Sequence, residues 1–105
     1  MRYYKIHAYV RNSVREDVEK VLLKLGVDGF TFYRVKGVGE YANYFSRLHH
    51  VEHTQFEVFV TETDVDLLID AIVSSASTPA KGDGLIAVMP VDRVVRIRNH
   101  AELDA

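Results

Sequence analysis

Arg96 and Arg98 stand two positions apart near the end of the chain, downstream of a Gly82-Asp83-Gly84 turn. In an extended strand, residues i and i+2 point to the same face, so the two guanidinium groups converge. Like charges held side by side are unfavourable unless something neutralises them. An anion does this, and so do the nearby carboxylates Glu102 and Asp104 or water. Gly82-Asp83-Gly84 offers bare backbone N–H donors to an anion, although Asp-Gly also marks an ordinary hairpin turn. Lys36-Gly37-Val38-Gly39, at the end of an earlier apolar run, makes the same offer. Taken together, the glycine turns and the arginine pair are two walls of a site for an anionic small molecule.

A second cluster is His49-His50-Val51-Glu52-His53. On a helix His49 and His53 would share a face, and imidazole with carboxylate suits Zn²⁺, Cu²⁺ or Ni²⁺. The other reading is a polar segment leading into a strand, where alternation scatters these side chains. His49, His50 and His53 are therefore candidate metal ligands, and no role is assigned to His7 or His100. Arg11-Asn12 resembles the arginine and asparagine pair of acylphosphatases, which are small enzymes of a similar fold. The loop around it does not match theirs, and no carboxylates form an acid–base pair at a recognisable spacing. The chain reads as a binding protein rather than an enzyme.

The elements that must hold these residues are legible from periodicity. Lys5, His7 and Tyr9 alternate with Ile6, Ala8 and Val10, the pattern of a half-buried strand. Ser13-x-x-Glu16 reads as a capping box, followed by Val14, Val18, Val21, Leu22 and Leu25 at helical spacing and by Gly26 as a stop. Phe30 to Val35 is aromatic and β-branched, hence a second strand. From Gln55, Phe56, Val58 and Val60 alternate as a third. Thr63-x-x-Asp66 opens a second helix with the stripe Val65, Leu68, Ile69, Ile72 and Val73. Leu85–Met89 and Val94–Arg98 are the remaining strand candidates. The order predicts an α+β fold: a ferredoxin-like βαββαβ sandwich, an antiparallel sheet with two helices on one face.

Composition bounds the function. With 105 residues, 48% of them apolar and 27% charged, the chain is expected to form one domain spanning 1–105 and to bury a core. A net charge of −2 and the lack of a basic-aromatic motif argue against nucleic acid as a partner. Without cysteine there are no disulfides or thiolate metal sites. The N-terminus lacks a signal-peptide core and no window reaches the length of a membrane span, so the expected location is the cytoplasm, without membrane insertion.

Between the second and third strands lies a polar, aromatic-rich stretch, residues 37–54. Structureless connections of this length are usually functional or disordered. Tyr41, Tyr44, Phe45 and Leu48 make it too apolar for a solvated linker. These side chains either pack back on the sheet or a neighbouring subunit, or form an arm that meets a partner or folds over a ligand.

Two runs then carry a family resemblance over nearly the whole chain. "VEKVLLKLGVDGFTFYRVKGVG", Val18 to Gly39, resembles the helix–strand block of the P-II signal-transduction family, which ends in G-x-G at the base of that family's T-loop. The run from Thr78 through "GDG" to "VVRIR" and the acidic tail resembles its phosphate loop and closing strand. The resemblance implies a homotrimer with adenine nucleotides in the clefts between subunits. By position, Gly37, Val38 and Gly39 would line that cleft from the loop base, with Thr31 near the adenine and Phe59 also in the site. Gly82, Asp83 and Gly84 would present amides to the phosphates, and Arg96 and Arg98 charge-assisted donors. Residues 37–54 would be the T-loop equivalent, the arm for a protein target such as a membrane transporter or a metabolic enzyme.

Three positions depart from the family pattern. Glu40 stands where the family has arginine after the second glycine, Leu85 where it has lysine after Gly-Asp-Gly, and Pro79 where it has glycine. Losing two cations disfavours a triphosphate, so ADP or AMP is expected over ATP. The loop is also shorter, and its tyrosines do not match the family's modified one. The expected protein is a divergent, nucleotide-sensing regulator. The alternative is a metal-responsive or purely structural trimeric module of P-II or CutA type.

Overall fold

A computed structural model describes residues 2–27, 29–37, 51–79 and 83–103. Strand β1 (Tyr3–Arg11) leads through a 3-10 turn at Asn12–Val14 into helix α1 (Arg15–Lys24) and strand β2 (Thr31–Gly37). Strand β3 (Val51–Thr61) leads through a second 3-10 turn at Glu62–Asp64 into helix α2 (Val65–Ala76) and strand β4 (Gly84–Val91). Two short strands, β5 (Val95–Arg96) and β6 (Ala101–Glu102), follow.

The main sheet has the order β2-β3-β1-β4 with every pair antiparallel, the ferredoxin-like arrangement that the alternation predicts. Register decides which side chains meet. Ile6 faces Val58 and Val88, and Ala8 faces Phe56 and Ile86. Ile6, Ala8, Val10, Phe56, Val58 and Val60 form one core with Val18 and Leu22 of α1 and with Leu68, Ile72 and Ala76 of α2. Both helices thus cover the same face of the sheet. Phe56 packs between Phe30 and Phe32, with ring centroids at 5.9 and 5.4 Å. Thr54, buried on the core side, donates to Asn12 Oδ1 at 2.7 Å and so ties the end of β1 to β3.

Helix α1 ends as expected. Gly26 adopts φ +78, its N–H bonds to the Leu23 carbonyl and that of Val27 to the Leu22 carbonyl, the paired closure in which a left-handed residue ends a helix. The helix starts differ from expectation. Each α-helix is entered through a 3-10 turn, and none of the four cap positions, Arg11, Val14, Thr61 and Asp64, makes a side-chain capping hydrogen bond. The tighter turn moves Ser13 and Thr63 off the N-cap, so the Ser13–Glu16 capping box does not form as read.

Two strands also differ. β3 begins at Val51 rather than Gln55, so His53 is a strand residue, and it is 1% exposed. The closing strand stops at Arg96, and residues 97–100 turn back so that Val95 pairs with Glu102 and Arg96 with Ala101.

Candidate functional site

The second face of the sheet carries Lys5, His7 and Tyr9 from β1, Gln55, Glu57 and Phe59 from β3, and Thr31 and Tyr33 from β2. Strand alternation puts these residues opposite the helices. At the centre is Glu57. Its Oε1 lies 2.7 Å from Lys5 Nζ and 3.2 Å from His7 Nε2, and His7 Nδ1 lies 3.3 Å from Gln55 Nε2. The Lys5 ammonium, first of all, holds the Glu57 carboxyl below its ordinary range. Desolvation, then the same carboxylate, raises the Tyr33 phenol.

Thr31 stands directly across from Glu57. With Lys5, Gly29, Phe30 and Phe59 they line a cleft of about 520 Å³. The Lys5 ammonium also sits 5.5 Å over the Phe59 ring. Phe59, half exposed, continues into an adjoining cleft of about 600 Å³, to which Tyr3, Asp64, Leu67 and Arg96 contribute. The two adjoining clefts therefore run from Thr31 and Glu57 at mid-sheet, through Phe59, to Arg96 at the Tyr3 end. Their surroundings combine aromatic surface, an acceptor and a cation.

The glycine turns belong to the other end. Gly84 faces Val10, Arg11 faces His53, Val35 faces His53 and Gly37 faces Val51. The Asp83 carboxylate accepts from the Thr78 N–H at 2.8 Å, the Thr78 hydroxyl at 2.5 Å and Arg11 Nε at 3.2 Å. The Thr78 donors, followed by Arg11, hold Asp83 below the usual carboxylate range. Asp83 thus braces its own loop through its side chain. Arg11 brings a guanidinium to that loop, where the lysine of the family pattern is Leu85.

Gly84 faces Val10 whereas Val91 faces Tyr3. At about 3.3 Å per residue these points are on the order of 23 Å apart along β1. Within one chain the glycine turn and Arg96 are at opposite ends of the sheet, and they meet only if a second copy supplies one of them. Arg96 and Arg98 are not a same-face strand pair, because the chain leaves β5 at Arg96 and Arg98 sits in the following turn. Of the two carboxylates that could neutralise them, Glu102 is paired with Arg93.

Val38, Gly39, Gly82, Tyr41, Tyr44, Phe45, Leu48, His49 and His50 lie outside the described residues, as do Glu40 and Asp104. His53 is in β3, where neighbours alternate instead of sharing a helical face. Among the described residues no group of three His, Asp or Glu side chains is placed to hold a metal ion. Arg11 and Asn12 are taken up by Asp83 and Thr54, which gives both a structural role. Sequence reasoning missed Lys5, Glu57 and Arg11. Only the outward-facing polar positions of two alternating strands pointed to the first two, and their pairing needs the register. Among the described residues no helix is long and apolar enough to cross a membrane.

Comparison with known proteins agrees with this architecture. The family model described as "Nitrogen regulatory protein P-II" matches residues 3–101. A nitrogen regulatory protein P-II of Synechocystis is 36% identical over 101 residues, 90% of each chain. One from Klebsiella oxytoca is 34% identical over 108 residues, 96% of each. Among solved structures, Arabidopsis thaliana PII bound to citrate superposes with a TM-score of 0.83 at 32% identity, covering 98% of this chain and 90% of that one. Matched by that family model over residues 3–101 and by relatives at 34–36% identity over 90% or more of its length, the chain belongs to the nitrogen regulatory protein P-II family.

Proposed function

We propose that the chain works as a homotrimeric sensor of adenine nucleotides, each bound between two copies, and that residues 37–54 pass the state of that site to a protein target. One observation carries this reading: the candidate ligand residues divide into two incomplete sets, one at the Gly84 end of the sheet and one running from its middle to the Arg96 end. Gly37, Asp83, Gly84 and Arg11 form one set, and Thr31, Glu57, Phe59 and Arg96 the other. The first offers backbone donors suited to phosphate, its one cation, Arg11, being paired with Asp83, so Arg96 of the second set is the cation that completes the phosphate site. The second has aromatic surface and a carboxylate acceptor, suited to a base and a ribose. A ring of copies apposes each set to its complement and closes every pocket.

Phosphate number is set by the available cations. Leu85 and Glu40 remove two positive charges relative to the family pattern, which favours ADP or AMP over ATP. Ligand at Gly37, the base of the loop, shifts the loop between conformations with different affinity for its target. The target fits a membrane transporter or a metabolic enzyme met from the cytoplasm.

Calorimetric titration with AMP, ADP, ATP and cyclic nucleotides, with and without Mg²⁺, tests the reading. AMP or ADP is expected to bind more tightly than ATP. Arg96→Ala with Arg98→Ala is expected to weaken binding while leaving a folded trimer. An absence of heat with every nucleotide, or unchanged affinity in that variant, overturns it.

A further inference from the structure

Ile97 is 98% exposed, in the turn that joins β5 to β6 and directly between Arg96 and Arg98. A single exposed apolar side chain is ordinary on a protein surface and by itself assigns nothing. Its meaning comes from a groove elsewhere on the same chain. Between α2 and β4, the edge strand of the sheet, lies an apolar depression of about 210 Å³. Ile69, Ile72, Val73, Ala76 and Ile86 wall it, and Asp83 and Gly84 form its rim. A cavity of about 150 Å³ accepts a benzene molecule, so this groove has room for one branched aliphatic side chain. Ile97 cannot reach it within its own chain. Arg96, next to it, lies with Tyr3 and Phe59, and the groove lies at the Val10 end of β1.

We infer that Ile97 of one copy seats in the α2–β4 groove of the next copy and thereby fixes the register in which the arginine turn meets the Asp83–Gly84 loop. The inference rests on the reading of an anion pocket shared between copies. A second copy of this chain is the occupant because the two features are built into the two halves of that pocket. The groove's rim is the glycine turn itself, and Ile97 is covalently bounded by the arginines. Any arrangement that brings Arg96 and Arg98 to the neighbour's Gly84 also brings Ile97 to the surface beside it. Ile97 stands fully exposed in the turn between the two arginines, so its side chain is available to the apolar surface that flanks the neighbour's loop. A contact between two different patches is head-to-tail, the kind that closes into a ring. The anion pocket and the apolar seat are then adjacent parts of one joint.

The chain contains no cysteine, which makes a cross-linking test clean. In the double variant Ile97→Cys with Val73→Cys, mild oxidation or a short bis-maleimide is expected to join chains into covalent dimers and trimers. Neither single variant is expected to do so. Sedimentation is expected to show trimer dissociation at a tenfold or higher protein concentration in Ile97→Asp, with Ile97→Leu restoring the wild-type value. Val73→Asp, at a position 47% exposed in the single chain, is expected to repeat the effect with an unchanged circular dichroism spectrum. A trimeric double-cysteine variant that yields no cross-link, together with an Ile97→Asp variant that keeps the wild-type dissociation concentration, overturns the seat while leaving the shared pocket standing. A wild-type protein that stays monomeric at every concentration overturns both.

Discussion

Gly84 passes so close to β1 that a Cβ added to it would stand 1.7 Å from the Tyr9 carbonyl oxygen. The obstacle is backbone, which cannot rotate aside. Its φ of +115 is also one that L side chains rarely adopt. Gly84→Ala is therefore expected to destabilise the fold by at least about 2–4 kcal/mol, through forced displacement of the start of β4. Gly26→Ala is the control. Its φ is +78 but nothing lies within 4 Å of the added Cβ, so only the conformational strain of about 1–2 kcal/mol remains. Urea denaturation followed by circular dichroism measures both, and equal midpoints for the two variants would contradict the close approach.

Asp83 gives a pH dependence with a definite sign. Its carboxyl is held below the ordinary aspartate range, first by the Thr78 hydroxyl and N–H and then by Arg11. A group whose folded pKa is depressed binds more protons when unfolded. Its contribution to stability is complete above the ordinary value of about 3.9 and is lost as pH falls through the lower folded value. Asp83→Asn is expected to lower the melting temperature at neutral pH and to flatten the acid limb of the stability profile below about pH 4. Calorimetry across that range checks it; an acid limb as steep as that of the wild type would remove Asp83 from the account.

The parts that were legible in the sequence are those set by short-range period. Ile6, Ala8 and Val10 alternate and are buried, and Val18, Leu22, Leu68 and Ile72 recur at helical spacing and reach the same core. The closing strand was misjudged for a physical reason. Val94, Val95 and Ile97 have the β-branched character of a strand, but that preference expresses fit to a partly buried sheet surface. Val95 and Arg96 find their partners only in Glu102 and Ala101, so the strand ends there. The Ser13–Glu16 capping box failed because a 3-10 turn precedes helix α1. The Lys5–Glu57 pair was invisible because a cross-strand contact depends on register, which the local sequence of either strand does not contain. The division of the ligand residues between two ends follows from that same register.

Phe56 tests the core that holds the two ends in fixed relation. It is fully buried and packs against Phe30 and Phe32 beneath the helices. Phe56→Ala is expected to cost about 3–5 kcal/mol from lost transfer energy plus the cavity left behind. Phe56→Leu, which retains most of the apolar volume, is expected to cost markedly less. Equal denaturant midpoints for the two variants would show that the site collapses around the smaller side chain.

Glu57 separates stability from recognition. Its pair with Lys5 is partly exposed, with side-chain accessibilities of 30% for Lys5 and 20% for Glu57. A double-mutant cycle of Lys5→Met and Glu57→Gln is accordingly expected to give a coupling of only about 0.5–1 kcal/mol. The effect on ligand should be larger. Opposite Thr31 in the aromatic cleft, the ionised carboxylate accepts hydrogen bonds and donates none. It therefore suits the amine of a base or the hydroxyls of a ribose and repels phosphate. Glu57→Gln is expected to weaken AMP, ADP and ATP by a similar factor, about tenfold, the loss of one charge-assisted hydrogen bond. Arg96→Ala is expected instead to cost more affinity with each added phosphate. Calorimetry of three nucleotides against two variants distinguishes these patterns. A Glu57→Gln loss that grows with phosphate number would place the phosphates, and not the nucleoside, in the Thr31 cleft, reversing the assignment of the two ends.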